Sequence, residues 1–581
     1  MSDTSVIPTP ASPDACSISV LIDGTEVSGE FHVLSASVSN ELNRIPVASL
    51  QLRDGEASKQ TFEASDTDHF VPGKEIEIRL GYRGENESVF KGIIVKHRIR
   101  VRKNGSHLSL ECRDKAVRMT SGLRSRYFVD TTDGDVLDEL IGAHSLERDV
   151  ATTKPALKEV VQYDSTDWDF LVCRAEANGH VVAVKDAKIT IGPPDTGTEP
   201  AVTAKFGATV LELDAEIDAR WQVKGVKATA WNATDQELVE AEASEPSVTD
   251  SGNLSTAELS DVIGGDPHVL RHGGKLGEPE LQAWADGRLL KDRFAKVRGR
   301  VRFQGFAGIH AGDVVEVTGI GKRFEGKQYV SGIRHTYGNG NWETDVAFGL
   351  HAEPFATANP VTANTAGGLL PSVNGLQTGV VTALENDPDG EDRIQVRLPL
   401  ISASEDGVWA RLATLDAGDQ RGTFFRPEID DEVLVGFLDD DPRFPVVLGQ
   451  LHSSANPAPE TAKDDNHLKG YQSRSMMKLT FDDDKKIVVL ETPGGNKLTL
   501  SEDAKTVSLV DQNGNSVTLD DGGITLESTK DLTLKASGDV KLEGANVELK
   551  SQAKFKAEGQ AGVDLKSSGT LTVKGSLVQI N

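Results

Sequence analysis

The sequence lacks the features of several common protein classes. Its three cysteines, Cys16, Cys112 and Cys173, are too few for a disulfide framework and are typical of a reducing cytoplasm. Aromatic residues make up only 5% of the chain, which argues against a large aromatic-lined pocket. No apolar run approaches the roughly 18 residues of a membrane-spanning helix. The N-terminus reads MSDTSVIPTPASPDA, without a basic region or apolar run, so we expect no secretory signal.

Basic residues are also fewer than acidic residues. The chain has 62 Lys and Arg against 90 Asp and Glu, giving a formal net charge of -28. Nucleic-acid phosphates attract basic patches and repel a polyanion of this size, so the sequence predicts no nucleic-acid partner. Solubility is sufficient to explain the acidic surplus.

Motifs for catalysis, cofactors and metals are missing. The 13 histidines form no His-x-His or His-Glu-x-x-His pattern, and no Gly-x-Ser-x-Gly elbow occurs. Three segments resemble ligand loops, but their spacing is incomplete, and we interpret them as turns: Gly319–Lys322, Asp387–Asp392 and Asp439–Asp441. We therefore predict no catalytic, cofactor-binding or metal-binding residues and no enzymatic activity.

What the sequence does contain is a succession of domains. A chain of 581 residues is too long for one hydrophobic core, and its 56 glycines favour many strands and turns. Two stretches rich in small, polar, Gly and Pro residues have the composition of linkers. We therefore predict five segments: a domain at 1–354, a linker at 355–378, a domain at 379–455, a linker at 456–475 and a tail at 476–581.

The N-terminal domain is predicted to be mainly β with interspersed helices. Residues 75–80 and 107–112 alternate apolar and polar side chains, as half-buried strands do, and residues 297–350 are also rich in strands. Two helices are predicted. One covers 167–178 and is followed by Gly179; the other covers roughly 278–296, acidic at its start and basic at its end.

The tail contains a repeat of apolar–any–apolar pairs separated by polar gaps. The pairs recur about every eight residues: Ile524/Leu526, Leu532/Leu534, Val540/Leu542, Val547/Leu549, Val563/Leu565, Leu571/Val573 and Val578/Ile580. Burying such a pair contributes roughly 3–6 kcal/mol. Ordering eight residues costs ~1–2 kcal/mol each in backbone entropy. A lone chain also leaves strand edges open. We therefore predict obligate oligomerisation, with three chains as the smallest closed prism; the alternative is a single-chain β-solenoid.

The chain resembles the VgrG family, which fuses the hub and spike proteins of contractile-tail phages. In the N-terminal domain, the segments that carry the resemblance are Phe90–Ile94 with His97, Gln162–Leu171, Arg174–Glu176 and Gly179. The middle domain is similar to the OB-fold of the family through Gly379–Val381, Asp392–Pro399, Trp409–Arg411, Phe424–Gly436, Asp440–Pro442 and Pro445–Leu451. Lys478–Asp483 then looks like the opening of the family's triangular β-helix.

The resemblance implies a trimeric architecture and a set of partners. Three N-terminal regions, each a hub of β-barrels with interspersed helices, would form a pseudo-sixfold ring that adapts a threefold spike to sixfold inner-tube and baseplate proteins. OB-folds would form a collar, and the tails an intertwined triangular trimeric β-helix, the needle. A PAAR-type tip protein would cap the needle. The chain stops directly after the last repeat, so we expect effector cargo to be carried separately.

Function and location follow from the same resemblance. We expect a spike that punctures a target envelope through transient membrane contact after sheath contraction. It would be made in the bacterial cytoplasm and assembled at the baseplate end of a particle. The motif Trp168–Leu171 looks closer to spikes of extracellular, phage-tail-like particles than to type VI secretion spikes.

Two groups of residues are candidates for contacts. The last five residues are predicted to dock the tip protein: Leu577, Val578, Gln579, Ile580 and Asn581. Trp168 and Phe170, on the first predicted helix, are expected to lie in the core or at a hub interface.

A function of another class stays open at this stage. The chain could be a tailspike or cell-wall-degrading enzyme that uses a β-solenoid as its platform. Such a glycosidase needs paired carboxylates and usually aromatic sugar platforms. The repeats from residue 524 onward contain neither Trp nor Tyr, which favours the spike.

Overall fold

The computed structural model describes residues 15–27, 29–249, 251–264 and 266–580. Strands take up 40% of the chain and helices 12%, which confirms the mainly β fold predicted from the sequence. The chain divides into two compact units, Met1–Ser372 and Val373–Asn581.

The first unit contains twenty-one strands among its described residues. They are β1 Cys16–Ile22, β2 Thr25–Glu26, β3 Val33–Glu41, β4 Val47–Arg53, β5 Glu75–Tyr82, β6 Glu85–Arg102, β7 Gly105–Arg113, β8 Arg124–Thr132, β9 Glu147–Val150, β10 Ala156–Ser165, β11 Val181–Lys185, β12 Lys188–Gly192, β13 Val202–Lys205, β14 Val210–Ile217, β15 Val226–Asn232, β16 Glu237–Glu242, β17 His268–His272, β18 Val297–Gln304, β19 Val314–Thr318, β20 Gly326–Gly338 and β21 Asn341–Phe348.

One thirteen-stranded sheet organises this unit. Its main path runs in the order β14-β18-β21-β20-β3-β4-β7-β6-β5-β1-β2, and β19 links β13 to β20 beside it. Two hydrophobic cores pack on the sheet, one centred on Leu50, Ile78 and Leu110 and the other on Val301 and Phe303. The predicted strands at 75–80 and 107–112 fall within β5 and β7, because alternation places their apolar residues on one face.

Five α-helices interrupt the strands of the first unit: α1 Asp133–Ala143, α2 Asp167–Ala177, α3 Thr256–Ile263, α4 Glu278–Phe294 and α5 Phe355–Ala358. Short 3₁₀ turns also occur, at Asp68–Phe70, Lys115–Thr120 and Thr365–Gly368. The predicted helices at 167–178 and 278–296 correspond to α2 and α4. Helices α1, α3 and α5 were not predicted, and α5 lies in the segment 355–378 that was predicted to be a linker.

Helix α2 begins at a side-chain N-cap and is followed by a glycine in the left-handed conformation. The Thr166 hydroxyl is the N-cap and accepts a hydrogen bond from the backbone N–H of Asp169 at 3.0 Å. At the other end Gly179 adopts φ +69°, and a Cβ built on it would lie 3.0 Å from Cα of Gly287 in α4. A glycine is needed there because the backbone of the two helical segments approaches so closely.

The second unit begins with a small closed barrel. Its strands are β22 Gln377–Ala383, β23 Ile394–Arg397, β24 Val408–Leu412, β27 Glu432–Phe437 and β28 Pro445–Gln450, with the hairpin β25 Ala417–Gly418 and β26 Arg421–Gly422 inserted and a 3₁₀ turn at Leu438–Asp440. The barrel closes in the order β22-β23-β24-β28-β27 around buried Val396, Val433 and Val435. Five strands closed in this way agree with the predicted OB-fold.

A seven-stranded antiparallel meander follows the barrel. Its strands are β29 Leu468–Gln472, β30 Lys478–Asp482, β31 Ile487–Glu491, β32 Lys497–Ser501, β33 Thr506–Val510, β34 Ser516–Asp520 and β35 Gly523–Glu527. The first of these differs from the sequence analysis, which placed residues 468–472 in a linker. They form a strand because β30 pairs with all five of them, although their own composition is polar.

Candidate oligomerisation surface

The meander carries a continuous apolar ladder on one face. Strand register pairs Leu479 with Leu490, Leu490 with Leu498, and Leu498 with Leu509, so these side chains stand beside one another across four strands. A second row runs parallel to the first. Together the two rows, called the apolar ladder below, comprise Leu479, Phe481, Val488, Leu490, Leu498, Leu500, Val507, Leu509, Val517, Leu519, Ile524 and Leu526.

The opposite face of the same sheet is mainly polar. Lys478, Thr480 and Asp482 alternate with ladder residues on β30, and Thr506 and Ser508 do so on β33. Ile487, Val489 and Val510 are exceptions to this composition. The sheet is therefore amphipathic, with one side suited to water and the other to burial.

Within a single chain the apolar ladder is left uncovered. Leu490 and Leu509 are each 52% exposed, and the remaining ladder residues are partly or largely exposed as well. Each half-exposed leucine withholds roughly 1 kcal/mol of the stabilisation that full burial contributes. A contiguous apolar face of this size on a folded sheet marks an interaction surface.

Beyond β35 the described residues 528–580 form no strand within the chain. The apolar pairs predicted in this segment are all exposed, from Val578 at 48% to Ile580 at 91%. Backbone N–H and C=O groups almost always find a hydrogen-bond partner in a folded protein. If this segment forms strands, their hydrogen-bond partners therefore have to come from another chain.

Asparagines connect successive hairpin loops along one edge of the meander. The Asn496 side-chain oxygen accepts a hydrogen bond from the backbone N–H of Gln512 at 3.2 Å. One hairpin further on, the Asn515 oxygen accepts from the backbone N–H of Thr529 at 2.9 Å and from the Ser528 hydroxyl at 3.1 Å. These contacts fix the spacing of the loops and extend past the last strand.

The loop that carries Asn515 is itself held by a carboxylate. Asp511 accepts hydrogen bonds from the side-chain and backbone N–H groups of Asn515 and Asn513. The amide of Asn515 contributes most to lowering the pKa of Asp511 to about 2, so this carboxylate stays ionised and keeps accepting.

The meander is attached to the barrel by an aromatic and an ionic contact. The rings of Phe425 and Tyr471 lie 4.8 Å apart between centroids, at an angle of 59°. A few residues further along the chain, Arg474 forms an ion pair with Glu428 at 2.8 Å. Both contacts join the start of the meander to the loop before β27.

The predicted contact residues lie in two different environments. Trp168 is only 5% exposed and packs in the core formed around α1 and α2, and half-buried Phe170 stacks on Phe128 at 6.3 Å. Leu577, Val578, Gln579 and Ile580 are exposed at the end of the described chain. Asn581 lies outside the described residues.

The three segments that resemble ligand loops form turns held by the chain itself. Asp387 accepts from the backbone N–H groups of Asp389, Glu391 and Arg393, and the Arg393 guanidinium holds the pKa of Asp387 well below its usual range. Asp441 is similarly paired with Arg443 at 2.6 Å. Gly319–Lys322 connects β19 to β20, with Gly319 and Gly321 at positive φ.

Among the residues that the structure describes, no group of three or more His, Cys, Asp or Glu could hold a metal ion. No helix within the same residues is long and apolar enough to cross a membrane.

Sequence reasoning missed most of the apolar ladder, although a signal was present. The apolar pairs predicted from the sequence begin at Ile524, but the same apolar–any–apolar unit occurs at Leu479/Phe481, Val488/Leu490, Leu498/Leu500, Val507/Leu509 and Val517/Leu519. These earlier pairs recur every nine or ten residues, so they do not follow the period of about eight residues that identifies the later ones.

Comparison with known families divides the chain into three matched regions. The family described as the Alg8 N-terminal domain matches residues 12–339, more than half of the chain. The type VI secretion system/phage-baseplate injector OB domain matches residues 377–452, which contain the closed barrel. The phage baseplate V C-terminal trimerisation domain matches residues 486–581, which contain most of the apolar ladder.

Individual relatives match shorter stretches. The chain is 32% identical over 133 residues to the type VI secretion system spike protein VgrG4b of Pseudomonas aeruginosa, covering 22% of this chain and 14% of that protein. It is 27% identical over 125 residues to VgrG3 of Vibrio cholerae, covering 19% and 12% respectively. The alignments thus span about an eighth of the length of these curated relatives.

Solved structures give distant likenesses. A tail protein from Neisseria meningitidis superimposes with a TM-score of 0.44 at 16% identity, covering 59% of this chain and 99% of that one. A chain of a Francisella PdpA–VgrG complex gives a TM-score of 0.39 at 10% identity, with 88% of each chain covered. By its matched regions, the chain belongs to the VgrG and phage-tail hub-and-spike family, and its N-terminal part to the Alg8 N-terminal domain family.

Proposed function

We propose that the chain is the trimeric hub-and-spike subunit of a contractile injection system, joining tube and baseplate and puncturing the target envelope. The observation that carries the proposal is the uncovered apolar ladder, continued by exposed apolar pairs to Ile580. Three copies placed around an axis bury this face on one another. The match to a trimerisation domain over 486–581 supports that number.

The proposed needle gains stiffness from its interchain contacts. Ladder side chains of three chains meet on the axis, and the segment from 528 onward receives its hydrogen-bond partners from sister chains. Separating the chains then breaks many hydrogen bonds at once. The polar face of the meander remains in water and keeps the needle soluble before contraction.

The proposal assigns a separate role to each segment of the chain. Residues 1–354 form the hub that meets the sixfold inner-tube and baseplate proteins, and 379–455 form the collar. Residues 476–581 form the needle. The segments 355–378 and 456–475 are connections, although the second includes β29. The contact between Phe425 and Tyr471 supports a direct transmission of force from collar to needle.

A tip protein of the PAAR type is proposed to dock on the end of the needle. Leu577 is 82% exposed and Ile580 is 91% exposed, so three chains would present a small apolar platform. Val578 and Gln579 lie between them, and Asn581 completes the segment. A conical tip would bury this platform, which otherwise remains in contact with water.

We further propose that the subunit works mechanically and without catalysis of its own. It is assembled in the bacterial cytoplasm at the baseplate end of the particle and touches the target membrane only on firing. An extracellular, phage-tail-like particle is the proposed setting, supported by the motif at Trp168–Leu171.

Sedimentation velocity tests the oligomeric state on which the proposal rests. The full chain at micromolar concentration is expected to sediment as a trimer, and a chain without residues 476–581 as a monomer. A full-length monomer contradicts the proposal. Turnover of peptidoglycan or polysaccharide by the purified trimer would instead indicate an enzyme.

A further inference from the structure

A cavity of about 520 Å³ lies within the first unit, where helices α2 and α4 meet the end of β3 and the short helix α5. Most of its lining residues fall within the segments 41–44, 176–181, 287–291, 347–353 and 355–359. Sites for organic ligands in proteins usually have volumes of roughly 300–1,000 Å³. The cavity is therefore large enough to receive an organic group.

The walls of the cavity are held in place by contacts within the chain. The Glu176 carboxylate of α2 accepts a hydrogen bond from the backbone N–H of Phe355 at 2.7 Å, which fixes the start of α5. The backbone N–H of Asn43 donates to the carbonyl of Val182 at 2.7 Å, and the Asn43 side-chain oxygen accepts from the Val182 N–H at 2.8 Å. The cavity is thus formed before anything binds in it, as ligand pockets usually are.

Apolar side chains line several sides of the cavity. Leu42 is buried, and Leu290 and Leu350 are partly buried, although all three belong to the lining. Val181 and Phe355 add further apolar surface. An apolar occupant is stabilised here because it leaves water and covers these side chains.

The cations in the lining are already paired with carboxylates. Lys291 forms an ion pair with Glu176, and the Arg44 guanidinium lies 3.4 Å from the carboxylate of Glu41. An anionic occupant would have to compete with these carboxylates and would also lose its hydration. The cavity is therefore suited to a neutral group.

The imidazole of His180 is a polar group of the lining that lacks a partner. Neither of its ring nitrogens forms a hydrogen bond with the described residues, and Nδ1 is enclosed by protein, so the part of the ring that lines the cavity carries Nε2. Burial lowers the pKa of His180, against the opposing effect of the Asp133 carboxylate, and the ring is uncharged at neutral pH. Each nitrogen of a neutral imidazole either donates or accepts a hydrogen bond. A hydroxyl group suits both cases because it can do either.

The cavity opens to solvent on the side of α5. His351, Glu353 and Ala358 belong to its lining and are exposed. A side chain that projects from the surface of another protein can enter there while the rest of that protein stays outside. An apolar pocket with polar residues around it, filled by an aromatic side chain, is typical of the strongest contacts in protein interfaces.

We infer that this cavity receives a tyrosine side chain of a partner polypeptide. The phenol ring is neutral and apolar, as the leucines at 42, 290 and 350 require, and its hydroxyl supplies the missing hydrogen-bond partner of His180. The inference goes beyond the proposed function and does not depend on the trimer, because every residue of the cavity belongs to one chain.

Saturation-transfer NMR with the full-length protein tests the inference. N-acetyl-L-tyrosinamide is the probe, and N-acetyl-L-phenylalaninamide, which lacks only the hydroxyl, is its matched comparison. We expect the tyrosine probe to bind about fivefold more tightly, as one additional hydrogen bond implies. In His180→Phe this preference should disappear, whereas the affinity for the phenylalanine probe should not change.

Two tryptophan substitutions on α5 locate the binding site. Ala358→Trp fills the mouth of the cavity, and the affinity for the tyrosine probe should fall by about tenfold or more. Thr357→Trp, at the neighbouring exposed residue outside the cavity lining, should leave that affinity unchanged.

The possible results separate this inference from the proposed function. Equal affinities of the native protein for the two probes, a preference that persists in His180→Phe, or equal losses in Ala358→Trp and Thr357→Trp each overturn the tyrosine site and leave the proposed spike standing. A monomer in sedimentation overturns the proposed function, whereas a fivefold preference that depends on His180 supports the site in either oligomeric state.

Discussion

The ring of Phe425, in the loop before the last barrel strands, lies 4.8 Å from the ring of Tyr471, in the first strand of the meander. This contact anchors β29, whose own sequence is largely polar. It places the start of the proposed needle directly on the proposed collar. An aromatic pair of this kind contributes about 0.5–1.5 kcal/mol beyond the area that it buries.

Loss of this ring contact should release β29 from the barrel. In Tyr471→Ala we expect faster hydrogen exchange across 468–472, while the chain remains trimeric because the apolar ladder is intact. Mass-spectrometric exchange provides the measurement, and Tyr127→Ala, at an exposed tyrosine far along the chain, serves as control. Unchanged exchange in Tyr471→Ala would show that β30 alone holds the strand.

An aspartate introduced on the apolar face of the meander should have a different effect from one introduced on its polar face. Leu509→Asp places three carboxylates on the proposed axis, whereas Ser508→Asp places them on the polar face one residue away. Burying unpaired charges costs several kcal/mol per site, so the first variant should dissociate and the second remain trimeric. Native mass spectrometry distinguishes them. Equal behaviour of the two variants would contradict the assignment of the faces.

Asn515 should stabilise the meander more than Asn513 does. Asn515→Ala removes acceptors for Ser528 and Thr529, and each lost hydrogen bond costs about 1 kcal/mol. Asn513→Ala removes one exposed side-chain hydrogen bond to Asp511. Thermal unfolding should show the larger fall in Tm for Asn515→Ala, and the reverse order would count against the loop contacts described.

Stability of the first unit should fall in mild acid because of His335. Burial lowers its pKa to about 4, and its Nδ1 lies 3.0 Å from the Thr344 hydroxyl. In the unfolded chain the pKa is near 6.5. Between these values the unfolded state binds the extra proton, so lowering the pH from 6.5 to 4 should cost roughly 3 kcal/mol.

Denaturant unfolding at a series of pH values measures this loss. In His335→Gln the slope of the unfolding free energy against pH should be smaller over that window, whatever the variant's stability at neutral pH. An unchanged slope would show that other groups cause the acid sensitivity.

Trp168 and Phe170 should differ in the cost of truncation. Trp168→Ala removes a buried side chain and is expected to destabilise the first unit by about 3–5 kcal/mol. Phe170→Ala, at a half-buried position, should cost less. Chemical denaturation compares them; a normal free energy of unfolding in Trp168→Ala combined with lost assembly would assign Trp168 to an interface instead.

Much of the fold was predictable because its signals are local. Alternation in 75–80 and 107–112 predicted strands, and charge polarity in 278–296 predicted a helix. Helix α1 was not predicted because its sequence, DGDVLDELIGA, contains two glycines, and the helix is stabilised by packing against α2. Strand β29 likewise forms through its pairing and ring contact rather than through its composition.

Only the C-terminal part of the candidate oligomerisation surface could be predicted from the sequence. A period of about eight residues revealed the pairs from Ile524 onward, but the earlier pairs from Leu479 to Leu519 recur every nine or ten residues and do not follow that period. Their alignment into two rows depends on strand register, which is a property of the folded sheet.

Hydrogen exchange of the backbone amides in 528–580 tests the central claim most directly. These residues have no strand partner within the described chain. If sister chains supply the partners, the amides of the full-length protein should exchange slowly, over hours, together with those of the meander. Exchange within seconds, as in an unfolded segment, would contradict the intertwined needle.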